Sequence, residues 1–179
     1  MISIGRLEAR DRSAWEELFA GYHAFYGRPN WPRENYDEVW RRFRQDDRIH
    51  AWGARVDGQL AGIVHFLVHA STTSADVCYL QDLFTAPEAR GKGVACALIA
   101  EVELWAREQG CARVYWLTHS SNETARRLYD QVAENRGLGA TALPTLLSAR
   151  RCPVALRQGA SSRRMISSSR VIRNVTAIR

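Results

Sequence analysis

Apolar and polar residues alternate along this chain with two periods, one typical of strands and one typical of helices. From Ile2 to Ala9 they alternate one by one, which predicts a half-buried strand. From Asp11, a residue type that caps helices, to Tyr22 the apolar positions recur every three or four residues, which predicts a helix. Two prolines within residues 27–32 end that helix, and the same period predicts a second helix from Glu34 to Gln45.

Strand patterns follow this pair of helices. The segments His50 to Val56 and Gln59 to Ala70 read as two strands, and the Asp57-Gly58 dipeptide between them favours a tight hairpin turn. A further buried strand ends with the residues Gln81 to Thr85. The sequence therefore predicts at least four strands before residue 90.

The period then returns to that of a helix over Val94 to Gln109, which ends at the C-capping Gly110. A buried strand from Arg113 to Thr118 and a helix from Asn122 to Ala133 come next. These elements predict the α/β (α+β) class, with a mixed, mostly antiparallel sheet and helices on both faces. We expect the functional cleft where the strand Gln81 to Thr85 and the strand Arg113 to Thr118 diverge.

After Gly137 the periodic patterns fade. Residues 136–179 contain nine Arg but no Lys, no acidic residue and no aromatic residue. Removing these nine from the 25 basic residues of the chain leaves 16 against 19 acidic ones, so the net charge of +6 becomes −3. Because such a composition buries little apolar surface, we predict one domain over residues 1–137 and a poorly ordered, Arg- and Ser-rich tail over 138–179.

Length and composition narrow the function classes. A chain of 179 residues can bury one sizeable core. No apolar run approaches the roughly 18 residues of a membrane span, so no membrane partner is expected. The four cysteines, at positions 78, 96, 111 and 152, have neither metal-site nor redox spacing, which indicates reduced thiols and a cytoplasmic location.

Residues 79–96 are the most informative segment for function. They read as a strand, a basic glycine turn and the start of a helix, so a row of backbone N–H groups converges at a helix N-terminus. Arg90 and Lys92 add positive charge there, and Gly91 and Gly93 remove side chains that would keep an anion away from the backbone. This arrangement is suited to a pyrophosphate.

Two common phosphate-binding motifs do not fit this turn. A nucleotide-triphosphate loop needs Gly at Ala86 and Ser or Thr at Gly93, and a dinucleotide fingerprint needs Gly at Cys96. The pattern that remains is an Arg, two residues, a Gly, one residue and a Gly or Ala, filled by Arg90, Gly93 and Ala95.

With this pattern the chain resembles the GCN5-related N-acetyltransferase (GNAT) family, whose acetyl-CoA loop has the same form. The family carries a second motif on the following helix, and Asn122, Ala125, Leu128 and Tyr129 match it. Over residues 1–137 the resemblance is nearest to polyamine or small-amine and histone-type acetyltransferases. The family closes with two more strands, which the composition of 138–179 does not favour, so we expect the edge of the Arg113 to Thr118 strand to be uncovered.

The resemblance implies acetyl-CoA as co-substrate and names the residues that bind it. Backbone groups of the strand before the loop hold the pantetheine and the acetyl oxygen, and the loop and the second motif hold the rest of the cofactor. The residues concerned are Leu83, Phe84, Thr85, Arg90, Gly91, Lys92, Gly93, Val94, Ala95, Cys96, Asn122 and Ala125.

The resemblance also implies catalytic and acceptor residues. Tyr129 matches the family tyrosine that protonates the departing thiolate, and a core tyrosine is the alternative. Gln81 and Asp82 stand where polyamine acetyltransferases carry Glu-Asp, so Asp82 is a candidate to hold or deprotonate the ammonium, with a strand-end structural role equally open. Tyr26 and Trp31, in a region that covers the acceptor side in relatives, are candidates to bind a cation through their rings.

The sequence therefore predicts an N-acetyltransferase that moves an acetyl group from acetyl-CoA to a primary amine of a small molecule or a lysine-type acceptor. The alternative is a noncatalytic, truncated or frameshifted relative that binds CoA weakly and has a basic tail. His65 and His69 match no metal-ligand spacing, so no metal is expected. Nucleic acid is expected to bind only non-specifically, through the tail. The sequence is compatible with a homodimer but does not predict the oligomeric state.

Overall fold

The computed structural model describes residues 1–45, 48–118, 122–123, 127–128, 133–135 and 145–149. Within these residues three long α-helices and one seven-stranded sheet form the main elements. The helices are α1 (Arg12–Phe25), α2 (Arg33–Gln45) and α3 (Val94–Glu108). The strands are β1 (Ile2–Arg6), β2 (Ile49–Val56), β3 (Gln59–His69), β4 (Val77–Thr85), β5 (Val114–Thr118), β6 (Ala133–Asn135) and β7 (Thr145–Ala149).

The sheet is mixed and mostly antiparallel, as predicted. Its strand order is β1-β2-β3-β4-β5-β7-β6, and only the β4/β5 pair is parallel. The predicted hairpin turn joins β2 and β3. Its two central residues, Asp57 and Gly58, have φ angles of 51° and 86°. Two successive positive φ values are the geometry of the tight turns whose twist matches antiparallel strands.

The helices lie on two opposite faces of the sheet. His65 and Phe66 are successive residues of β3, so their side chains point to opposite faces. His65 meets Trp15 of α1, with ring centroids 6.1 Å apart, and Phe66 meets Trp105 of α3 at 5.1 Å. Helices α1 and α2 therefore cover one face, and α3 covers the other.

The layer between α1, α2 and the sheet is rich in aromatic residues. Trp15 is fully buried and lies 5.0 Å from Trp40 and 5.7 Å from Phe43, centroid to centroid. On the α3 face the buried apolar residues include Val64, Phe66, Leu98, Val102 and Trp116. Burial of this surface on both faces stabilises the sheet and holds β4 rigidly between its neighbours.

Strands β4 and β5 separate after a short contact. Their parallel pairing covers only Cys78 with Val114 and Tyr79 with Tyr115, although β4 continues to Thr85. The remainder of β4 keeps β3 as a partner on one side. The predicted divergence of these strands is therefore present, and the place of the functional cleft stays a prediction.

The edge of β5 is covered by another strand, so the prediction that this edge is uncovered is wrong. Strand β7 pairs antiparallel with β5, with Leu147 opposite Trp116, and β6 pairs with β7. Pairing uses backbone N–H and C=O groups, so a segment without aromatic residues satisfies an open edge equally well. Ala133, expected at the end of a helix, belongs to β6. Apart from 145–149, the predicted tail of 138–179 lies outside the described residues, and the division at residue 137 stays a prediction.

Two further findings concern the cysteines and the helices. Cys78 and Cys111 are free, whereas Cys96 is disulfide-bonded, so the expectation of reduced thiols is wrong at position 96. Spacing along the chain does not determine which cysteines approach each other in the fold. None of the helices in the described ranges has the length and apolarity that a bilayer crossing requires.

Candidate active site

A cleft of about 300 Å³ opens between the end of α1, the end of β4 and the start of α3. Its walls are Tyr22, Phe25, Tyr26, Leu83, Phe84, Thr85, Ala89, Arg90, Gly91, Gly93, Val94, Ala95, Cys96, Asn122 and Leu128. Every residue that the sequence assigned to the cofactor is in this wall except Lys92 and Ala125. Ala125 lies outside the described residues.

A β-bulge in β4 orients the strand toward the cleft. His65 of β3 is opposite Asp82, but the next residue, Phe66, is opposite Leu80, so Gln81 is an extra residue without a partner. A bulge of this kind bends the strand and changes where the following side chains point. Gln81 is exposed to solvent, whereas Asp82 faces the α1 layer beside His65.

The start of α3 forms the other wall. A short 3-10 helix, Pro87–Ala89, leads into the basic turn, where Gly91 and Gly93 have φ angles of 73° and 80°. Gly93 is the N-cap, and no side chain in the described structure caps the helix there. The first N–H groups of α3 are thus left for a ligand at the positive end of the helix dipole.

Arg90 is anchored to the strand that precedes the turn. Its Nε donates to the backbone oxygen of Thr85 at 3.4 Å, and its guanidinium carbon lies 5.9 Å from the centroid of the Phe84 ring. Lys92 is not part of the cleft wall. Its charge attracts the carboxylate of Asp57, whose pKa is lowered first by the N-terminal amine and to a smaller degree by Lys92. Arg90 is therefore the cation of the turn that reaches the cleft.

Behind the cleft, three side chains form a buried hydrogen-bonded chain. The indole Nε1 of Trp15 donates to Nε2 of His65 at 2.9 Å, and Nδ1 of His65 lies 3.0 Å from Oδ2 of Asp82. The side chains of His65 and Asp82 are only 3% and 13% exposed. Asp82 is therefore tied to a histidine of the neighbouring strand β3.

Asp82 is an anion in this setting. Burial raises the pKa of its carboxyl. The hydrogen bond from His65 and the electrostatic attraction of that ring, followed by the hydrogen bond from Tyr22 and the attraction of His23, outweigh burial and leave the pKa below its ordinary value. The pKa of Tyr22 is raised, first by burial and then by the neighbouring Asp82 charge. Tyr22 consequently keeps its proton and can donate it in a hydrogen bond to Asp82.

The aromatic residues expected on the acceptor side divide into two groups. Tyr26 lines the cleft together with Tyr22 and Phe25, and Tyr26 is 37% exposed. Trp31 is not in the wall and stacks on the buried His23, with ring centroids 4.1 Å apart. Trp31 thus supports the helix pair, while the end of α1 presents rings to the cleft.

The second motif reaches the cleft through Asn122 and Leu128. Tyr129, the predicted acid, lies outside the described residues. Sequence reasoning gave no role to the chain formed by Trp15 and His65, because the partners are fifty positions apart. The sequence did contain one signal for this chain. His65 lies in the middle of the apolar run of β3, and a buried polar side chain needs a hydrogen-bond partner.

Comparison with known proteins agrees with this geometry. The model of the acetyltransferase (GNAT) family matches residues 13–133. The D-amino-acid N-acetyltransferase of Saccharomyces cerevisiae is 34% identical over 137 residues, which cover 74% of this chain and 84% of that protein.

Solved structures share the fold. A ribosomal-protein-alanine N-acetyltransferase from Brucella melitensis biovar Abortus 2308 superposes with a TM-score of 0.65 at 27% identity, over 80% of this chain and 98% of that one. The aminoglycoside N-acetyltransferase AAC(6')-Iy, in complex with a bisubstrate analogue of CoA and acetylneamine, has a TM-score of 0.65 at 22% identity. That match covers 73% of this chain and 88% of the other.

Proposed function

The chain belongs to the GNAT family of acetyltransferases, and we propose that it moves the acetyl group of acetyl-CoA to the primary amine of a small, positively charged molecule. As a family member it is an acetyl-CoA-dependent N-acetyltransferase. The nature of the acceptor is the proposed part. The observation that carries it is the buried carboxylate of Asp82, held by His65 at 3.0 Å behind the aromatic residues that line the cleft.

The wall of the cleft fits the cofactor. Gly91 and Gly93 leave the N-terminus of α3 open for the pyrophosphate, and Arg90 supplies a charge beside it. The buried hydroxyl of Thr85 has no hydrogen-bond partner within the described part of the chain and lies in a wall residue, so a ligand can pair with it. Acetyl-CoA supplies the activated acetyl group as a thioester.

The open edge of β4 suits the reacting end. Beyond Tyr79 the described pairing with β5 ends, so backbone groups of Leu83, Phe84 and Thr85 face the cleft without β5 as partner. N–H groups fixed in this way can stabilise the negative charge that develops on the carbonyl oxygen when an amine attacks. Tyr129 directly follows the wall residue Leu128, which supports its proposed role as the acid for the departing thiolate.

The side of the cleft formed by the end of α1 suits a cation. Tyr22, Phe25 and Tyr26 present aromatic rings, whose faces attract ammonium groups. Tyr22 also bonds to Asp82, which brings a negative charge behind these rings. The cleft therefore has the Arg90 cation in its wall and the Asp82 carboxylate behind Tyr22, charges that suit a cofactor with phosphates and an acceptor with ammonium groups. By its name, the yeast relative also acts on small amines, the D-amino acids.

The test compares two acceptors that differ by one charge. Cadaverine and pentylamine have the same five-carbon chain, but cadaverine keeps an ammonium when its other amine reacts. We expect kcat/KM for cadaverine to exceed that for pentylamine by about tenfold or more, the effect of roughly 1.4 kcal/mol. Release of free CoA and mass spectrometry of the product measure the reaction.

A lysine-containing peptide and D-lysine complete the panel. Faster acetylation of the peptide than of all small amines would contradict the small-molecule proposal. Equal rates for cadaverine and pentylamine would contradict the role given to positive charge. Acetylation of none of the four would reject this acceptor class altogether.

A further inference from the structure

The chain of Trp15, His65 and Asp82 connects three elements, α1, β3 and β4, through two hydrogen bonds of 2.9 and 3.0 Å. Trp15 is fully buried and His65 is 3% exposed. Buried polar groups are kept in position only where each donor meets an acceptor. Both bonds therefore constrain the orientation of the imidazole between them.

The chemistry of the three groups allows one arrangement of protons. An indole N–H can only donate, so Nε2 of His65 must be the acceptor and carries no proton. The imidazole proton then lies on Nδ1, where it is donated to Oδ2 of Asp82. A proton on Nε2 would break the bond from Trp15, so the two hydrogen bonds together fix the tautomer whose proton points from Nδ1 to Asp82.

Within the described part of the chain, the ion-pair partner of Asp82 is the imidazole of His65. The ion pairs found there include none between Asp82 and a lysine or arginine. The titratable groups that act on Asp82 or are affected by it are His65, Tyr22, His23 and Tyr79, and burial lowers the pKa of His23, which favours its neutral form. A carboxylate that is 13% exposed and has no lysine or arginine partner in the described structure is stabilised further when a ligand brings a positive charge.

Tyr22 connects this carboxylate with the cleft. Its hydroxyl interacts with Asp82, and its side chain is part of the cleft wall. When the hydroxyl donates to Asp82, its oxygen keeps lone pairs that can accept from an ammonium in the cleft. The negative charge is thus felt at the acceptor end although Asp82 itself is not in the wall.

We propose that His65, held by Trp15, is a positioning residue that keeps Asp82 as an oriented anion, and that this anion selects acceptors with a second positive charge through Tyr22. The proposal rests on the proposed function, since it explains how the same cleft prefers a cationic amine. The selectivity is thus assigned to residues behind the wall. Asp82 contacts the wall residue Tyr22, and His65 lies one side chain further from the cleft.

The experiment replaces His65 in two ways. His65→Phe keeps an aromatic ring but removes both hydrogen bonds, and we expect the cadaverine to pentylamine ratio of kcat/KM to fall by about tenfold, mainly through KM for cadaverine. His65→Asn places an amide N–H near the position of Nδ1, so it can still donate to Asp82. We expect His65→Asn to recover at least half of the ratio.

A matched control separates selectivity from packing. The ring of Phe43 lies 4.7 Å from that of His65 in the same layer but takes no part in the chain. Phe43→Leu should lower the melting temperature and leave the ratio unchanged. Loosening of the fold alone would lower kcat/KM for both amines by the same factor. If His65→Phe has that effect, His65 has a structural role only and the proposal is wrong.

A second measurement needs no acceptor. Nitrogen NMR of the wild-type histidine rings should show His65 protonated on Nδ1 at neutral pH, and Trp15→Phe should alter that pattern. A proton on Nε2, or on both nitrogens, would overturn the proposal whatever the kinetics show. If the wild type acetylates neither amine, the acceptor class and the selectivity claim fail, whereas this spectrum still decides whether the chain is built as proposed.

Discussion

Gly21 of α1 lies against the ring of Phe84 in β4, so closely that a Cβ at position 21 would be 2.8 Å from Cζ of Phe84. Real Cβ atoms do not approach that closely, so the absence of a side chain lets α1 contact the strand. Phe84 is also a wall residue of the cleft. One glycine therefore sets the distance between the helix that carries Tyr22 and the strand that faces the cofactor.

The first prediction concerns this contact. Gly21→Ala gains about 1 kcal/mol of helix propensity but costs about 1–3 kcal/mol by overpacking, so the free energy of unfolding should fall by up to about 2 kcal/mol. Phe84 must move toward the cleft, and we expect KM for acetyl-CoA to rise several-fold. In a Phe84→Leu background the same change should have no further effect on KM. A rise in KM that persists in that background would show that Phe84 does not transmit it.

The second prediction concerns the basic turn. Gly93→Asp places a carboxylate at the N-terminus of α3, where the pyrophosphate is proposed to bind. Loss of about two charge-assisted hydrogen bonds, roughly 3 kcal/mol, should weaken CoA binding by about 100-fold in calorimetry.

Gly110→Asp is the control for Gly93→Asp. Gly110, just beyond the other end of α3, has a φ angle of 78°, close to the 80° of Gly93. The control imposes the same backbone strain and the same charge, but away from the cleft. Equal loss of CoA affinity in both variants would mean that strain, and not the anion site, is responsible.

The third prediction concerns Tyr129. Tyr129→Phe removes the proposed acid and leaves the ring, so CoA affinity should be unchanged while kcat falls by about 10- to 1000-fold. Tyr115→Phe, which removes a hydroxyl that bonds to His69 on the sheet surface, serves as the control. Single-turnover kinetics isolate the chemical step, and an unchanged rate there would return Tyr129 to a packing role.

The fourth prediction concerns stability against pH. His23 is 4% exposed, and its two ring nitrogens have no hydrogen-bond partner within the described structure. Burial first, and then the Arg28 charge, lower the pKa of His23 below its ordinary 6.5. The neutral ring therefore stabilises the fold above pH 6.5, and this contribution is lost as the pH falls through the lowered pKa, because the unfolded chain binds the proton more readily.

Melting temperatures between about pH 5 and pH 8 test the contribution of His23. In His23→Phe the fall in melting temperature on acidification should be smaller than in the wild type by about 2–4 °C. His69→Phe, which removes an exposed imidazole, should leave the slope unchanged. The same slope in all three proteins would contradict the role given to His23.

The local order of elements followed from the sequence by itself. The periods of two and of three to four residues placed α1, α2, β2, β3 and α3 within a few residues of their bounds, because side-chain direction repeats along a regular backbone. The basic turn could also be recognised from the sequence, because its glycines mark a backbone conformation that other residues rarely adopt. Gly91 and Gly93 do take positive φ values in the structure. These features depend on neighbours in the chain.

Features that depend on distant residues were decided only by the tertiary structure. The bulge at Gln81 depends on the register between β3 and β4, and the bond between Trp15 and His65 joins residues fifty positions apart. Strand β7 covers β5 although its composition gave no sign of it, because an open edge accepts any backbone that can pair. Register, partner and burial arise when elements pack, so the sequence could name Asp82 as a candidate but could not show that His65 and Trp15 lie behind it.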